Sequence, residues 1–101
     1  MEWGYEEKFD LLGIWLMDEN YDVPYNRSIE LKENLIIDID QNEDICSIQV
    51  ANWSKMFGIP KNNVSKMDID YEIKYGEFSC IITVIGKLNG AEYKISGSMF
   101  L

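Results

Sequence analysis

Four oxygen-bearing side chains recur at every second position in the stretch LIIDIDQNEDICSIQVANWSK, residues 35–55: Asp38, Asp40, Asn42 and Asp44. Carboxylates and amides at that spacing are the raw material of a calcium loop, because a hard cation takes oxygen ligands from alternate residues of a tight turn. Asp38, Asp40 and Asn42 fit the first three ligand positions of an EF-hand. The sixth position, where that loop turns sharply on glycine, is Glu43, and the twelfth, where it needs a bidentate glutamate, is Gln49. The residues before it, NLIIDI, alternate as a strand does and do not read as the entering helix. The competing reading is the tip of a β-hairpin whose Asp and Asn side chains bond nearby backbone N–H groups. The sequence favours the hairpin, with at most a weak cation contact at Asp38, Asp40, Asn42 and Asp44.

Other chemistry is thinly represented. The chain has no histidine, which removes His-based triads and most zinc or iron sites. Two cysteines without histidine make no zinc pattern. Cys46 and Cys80 sit in strand-like apolar runs and read as buried, reduced thiols, with one disulfide as the alternative. Ser54 has no neighbouring base. Gly86 and Gly97 fall inside strands and suggest bends or close backbone approach, not a phosphate loop. Many carboxylate pairs exist, but alternation puts most acids on solvent faces, and none is marked as buried. The expectation is a protein that is not an enzyme and needs no cofactor.

Charge is the more informative signal. Of the 101 residues, 18 are Asp or Glu and 9 are Lys or Arg, a net charge of −9. Residues 1–59 hold 13 acids against 4 bases, while residues 60–101 hold 5 of each, so the whole imbalance lies in the first part. Such a surface repels nucleic acid and anionic membranes and favours basic partners. The candidate partner-binding acids are Glu6, Glu7, Asp10, Asp18, Glu19, Asp22, Asp38, Asp40, Glu43 and Asp44. Trp3, Tyr5, Tyr21 and Tyr25 are interleaved with them. Aromatics anchor an interface and acids steer a basic partner onto it.

The elements that must position these residues are mostly strands. Residues 10–18 read as a buried strand carrying Trp15. Pro24 and its Asn/Asp neighbours make a loop, and RSIEL resumes alternation. The runs LIIDID and DICSIQV form a hairpin, with Asp38 and Asp40 on the face opposite Ile37 and Ile39. A short helix is expected near residues 52–58, with Asn52 as its N-cap, Gly58 at its C-terminus and Pro60 stopping it; Trp53, Met56 and Phe57 would face the core. KNNVSK reads as a polar connector. Residues 67–101 read as a β-meander closed by Asn89-Gly90. The expected fold is a single α+β domain: an antiparallel sheet of about six strands with one short helix. No apolar run is long enough to span a membrane, and the acidic start lacks the basic region of a signal peptide, so a cytoplasmic location is expected.

Residues 5–55 resemble a known pattern. In YEEKFDLLGI, Tyr5, Asp10, Leu12 and Ile14 match the opening of domain-of-unknown-function family 2283. Further on, Asp38, Asp40, Ile48, Val50, Ser54 and Lys55 match its strand, acidic turn, strand and helix start in register. The chain departs from that pattern at Glu43 and Ser47, where the family has glycine, at Gln49, where it has glutamate, and at Trp53, where it has alanine. The family has no established activity. Some members look to be encoded beside small toxin-like proteins, so the resemblance implies an antitoxin role. Taken together, the residues point to a small acidic module that masks a basic protein, of the antitoxin, immunity-protein or phage-inhibitor kind. The alternatives are a homo-oligomer built through strand edges of the meander, and a weak calcium-binding domain.

Overall fold

The computed structural model describes all 101 residues. Eight antiparallel strands form two sheets, and short helices join them, an α+β fold. The first sheet contains β1 (Glu2–Glu6), β2 (Leu11–Trp15), β3 (Tyr25–Lys32), β4 (Leu35–Asp40) and β5 (Ile45–Ala51), in the spatial order β1-β2-β5-β4-β3. The second is a meander of β6 (Asp68–Tyr75), β7 (Ser79–Leu88) and β8 (Ala91–Phe100). Between the sheets run α1 (Trp53–Phe57) and α2 (Lys61–Val64). The sequence pattern missed β1, whose five residues, EWGYE, carry too few apolar side chains to stand out. It also read α2 as a connector; Pro60 does end α1, but its fixed φ then leads into a second helical turn.

Alternation builds the core. Leu12 and Ile14 of β2 lie opposite Val50 and Ile48 of β5, and those lie opposite Leu35 and Ile37 of β4. All six are fully buried. They pack against Cys80, Ile82 and Val84 of β7 and Ile95 of β8 in one continuous cluster. Two glycines set how closely the layers approach. A Cβ at Gly86 would fall 2.6 Å from the Trp53 ring, and one at Gly97 would fall 2.9 Å from Leu35. Both positions therefore need glycine for packing, as the sequence suggested.

The short helix α1 has an unexpected cap. Asn52 occupies the N-cap position but adopts a left-handed conformation and makes no side-chain cap bond. The cap is Asp10, more than forty residues away. Its carboxylate accepts the N–H of Ser54 at 2.9 Å and of Lys55 at 3.2 Å, and the Tyr5 hydroxyl donates to it at 2.5 Å. Burial alone would raise the Asp10 pKa, but these donors outweigh it and hold the carboxyl below its ordinary value. The Tyr5 hydroxyl is pushed up to about 12 by burial and by the carboxylate it serves. Gly58 closes the helix in the left-handed region, as expected. Trp53 is buried and Phe57 half-buried, but Met56 faces outward.

An acidic aromatic cleft as the candidate functional site

The acids of the first half divide into two groups. Asp10, Asp38 and Asp40, expected on solvent faces, are buried. Asp38 points to the face of the first sheet away from the core. There it accepts hydrogen bonds from Ser28 at 2.6 Å, from Gln49 at 2.7 Å and from Ser47. Asp40, wholly inaccessible, accepts the N–H groups of Asn42 at 2.8 Å and Asp44 at 3.1 Å and the hydroxyl of Tyr21. Alternation placed these carboxylates on the outer face correctly, but side chains of β3 and β5 surround Asp38 there, and Tyr21 of the loop between β2 and β3 bonds Asp40. No buried side-chain nitrogen or oxygen lacks a hydrogen-bond partner. Asp10, Asp38 and Asp40 are thus structural and cannot meet a partner protein, which corrects three of the expected contact residues.

The turn at 40–44 is the tip of a hairpin. Glu43 N–H donates to Asp40 O at 3.1 Å, and Asp40 N–H donates to Asp44 O at 3.0 Å. Glu43 takes φ 66°, a conformation that glycine adopts without cost. Its carboxylate is held by Arg27 at 2.8 Å, with Asn26 alongside, so its charge is locally matched. Asn42 and Asp44 are exposed at the tip while Asp38 and Asp40 turn inward to their own donors. No three His, Cys, Asp or Glu side chains converge where they could hold a metal ion.

The second group of acids gathers at one end of the first sheet. Residues 16–24 leave β2 and pass the ends of β5 and β4 to reach β3 at the other edge of the sheet. Tyr21 is tied to Asp40, Gln41 N–H donates to Pro24 O at 2.9 Å, and Leu16 N–H donates to Cys46 O at 3.0 Å. This anchored loop walls a cleft of about 390 Å³ lined by Glu2, Trp15, Met17, Asp18, Glu19, Tyr21, Val23, Tyr25 and Cys46. Three exposed carboxylates stand at it, with Trp15 (57% exposed) and Tyr25 (59% exposed), and no lysine or arginine lines it. One oxygen of Asp18 accepts the N–H of Asn20 at 3.0 Å. Burial, then the charges of Asp38 and Asp40, raise the Cys46 thiol's pKa, so it stays protonated beside the cleft.

The fold therefore brings together four of the expected residues: Asp18, Glu19, Tyr21 and Tyr25. Asp22 lies exposed on the same loop outside the cleft lining, Glu6 and Glu7 are exposed near the far end of β1, and Asp44 stands at the hairpin tip. Trp3 and Tyr5 pack against the core instead. Five residues of the cleft lie outside the expected set: Glu2, Trp15, Met17, Val23 and Cys46. The apolar run around Trp15 suggests a buried strand, yet with Leu12 and Ile14 facing inward, Leu11, Gly13 and Trp15 must face outward. Comparison of the chain with protein families, curated proteins and solved structures finds no match to any of them.

Proposed function

We infer that the protein is a binding module that masks a basic partner protein, with the cleft at Trp15 as its contact. The observation that carries this reading is the lining of that cleft: Glu2, Asp18 and Glu19 beside the rings of Trp15, Tyr21 and Tyr25, with no positive side chain among them. A lysine or arginine entering it would meet carboxylates for its charge and aromatic faces for its stem. The same surface repels phosphate-bearing ligands, which favours protein over nucleic acid. The mechanism is steric and electrostatic occlusion of a basic site on the partner, as an antitoxin, immunity protein or phage-encoded inhibitor would achieve it. No helix is long and apolar enough to cross a membrane.

The test is affinity capture from the native host's lysate with the wild-type chain and with a Glu2→Gln, Asp18→Asn, Glu19→Gln triple variant. A basic protein held by the wild type at low salt, weakened at high salt and lost with the variant supports the reading. Capture that ignores both salt and the three substitutions counts against it.

One observation favours self-association as a second reading. Tyr75, Phe78, Ile81 and Phe100 are exposed together at one end of the meander, where β6 offers an unpaired edge. Mass in solution across a concentration series decides it. A concentration-independent monomer counts it out, and a dimer that Phe78→Ser dissolves supports it.

A further inference from the structure

Two glycines of the first sheet have no packing reason to be glycine. Gly4 of β1 lies directly opposite Gly13 of β2. Neither has a positive φ, and a Cβ built on either meets nothing within 4 Å. That is the reverse of Gly86 and Gly97, where a Cβ collides with core side chains. Glycine weakens a strand interior, and where neither backbone nor packing demands it, close approach of another chain is the remaining structural use. The pair forms the floor of an open trough of about 460 Å³ on the outer face of the sheet. Trp15 and Leu11 stand at its two ends on β2, and Gln49 lies alongside. Trp15 also lines the acidic cleft, so trough and cleft adjoin at its side chain.

The charges around the floor follow strand geometry. Glu2, Gly4 and Glu6 alternate along the outer face of β1, opposite Trp15, Gly13 and Leu11 respectively. No lysine or arginine lines the trough. β1 is an edge strand, paired on one side only. An extended segment added to its free edge has the same rise, about 3.3 Å per residue, so its alternate side chains fall in step with Glu2, Gly4 and Glu6.

We propose that the trough over Gly4 and Gly13 receives an extended segment of the basic partner with the pattern basic-x-apolar-x-basic. Its apolar side chain lies on the glycine floor between Trp15 and Leu11, and its two cations meet Glu2 and Glu6. This rests on the reading of the cleft and adds the sequence class that the surface selects.

The experiment uses the full chain and two synthetic acetylated and amidated peptides, Lys-Thr-Leu-Thr-Lys-Lys and the same peptide with Ser for Leu. Affinities are read from Trp fluorescence and checked by calorimetry. Gly13→Val fills the trough without collision, and valine suits a strand. Gly4→Val is a second route to the same block, should the first change the fold. Both are expected to melt at or above the wild-type temperature. The expected result is that the Leu peptide binds the wild type at least fivefold more tightly than the Ser peptide, and that either valine variant removes the difference. Asp18→Asn with Glu19→Gln weakens both peptides equally. Equal binding of the two peptides to the wild type, or a preference for Leu that survives both valine variants, overturns the trough while leaving the cleft standing. Binding indifferent to the Asp18 and Glu19 substitutions overturns the cleft, binding unchanged by Glu2→Gln with Glu6→Gln overturns the trough, and no binding of either peptide overturns both.

Discussion

The interior of the hairpin at Asp38 and Asp40 and the cleft at Trp15 are built from the same residue type, put to opposite use. In the hairpin interior, both buried acids have their own donors: Ser28, Ser47 and Gln49 for Asp38, and two backbone N–H groups with Tyr21 for Asp40. In the cleft, Glu2, Asp18 and Glu19 are exposed beside aromatic rings, with no base in the lining. A buried carboxylate with a full set of donors fixes backbone. An exposed one without a countercharge is available to another molecule. Net charge therefore says less about function than the partner list of each acid does. The two regions are also linked, because the Tyr21 bond to Asp40 helps hold the loop that walls the cleft.

Substitutions can break the contrast, beginning with its strongest side. Asp40→Ala strands two backbone donors and a tyrosine hydroxyl. It is expected to cost about 2–4 kcal/mol of stability by chemical denaturation and to loosen the cleft loop. The cleft triple variant, Glu2→Gln with Asp18→Asn and Glu19→Gln, should leave the melting temperature within a degree or two. It should weaken partner binding about tenfold or more, as measured by titration calorimetry. The opposite pattern, lost stability with unchanged binding, would mean that the cleft acids are structural too.

The pH dependence sharpens the same contrast at Asp10 and Tyr5. The Asp10 pKa is lowered from 3.8, so its contribution is present above that value and is lost as pH falls through the lower folded pKa. Tyr5 is raised from 10.0 to about 12, so its contribution is present below pH 10.0 and is lost as pH rises toward 12. Melting temperature against pH should therefore fall on both flanks. Asp10→Asn should flatten the acid flank, and Tyr5→Phe the alkaline one. The smallest effect is expected at the hairpin tip. Glu43→Gly relieves a left-handed residue at the loss of an exposed ion pair, and should raise the melting temperature by a few degrees.

Much of the scaffold is legible in the residues themselves. Alternation identifies the strands through Ile37, Ile48 and Ile69, apolar runs identify those through Leu12 and Ile82, and Asn89-Gly90 marks the last turn correctly, with both residues at positive φ. The short helix follows from Gly58 and Pro60. Long-range partners were not legible. Nothing local to Asp10 reveals that it caps α1 across more than forty residues. Nothing near Asp38 shows that β3 will bring Ser28 against it, or that Tyr21 will cover Asp40. The cleft was half visible: Asp18, Glu19, Tyr21 and Tyr25 lie close together in the chain, whereas Glu2 joins them only because β1 pairs with β2. Trp15 is exposed because the outer face of β2 is open to solvent, which an apolar run by itself does not reveal.

The proposed contact for a cation-bearing partner is the free acids of the first sheet, not the balanced surface of the meander. The most direct measurement is a titration of the isotope-labelled protein with a lysine-rich peptide, followed by nitrogen–proton correlation spectra. Shifts are expected at Glu2, the Trp15 indole and residues 17–25, fading with added salt, while residues 68–100 stay silent. Shifts centred on the outer face of β6, β7 and β8, or none at the Trp15 indole, would contradict it.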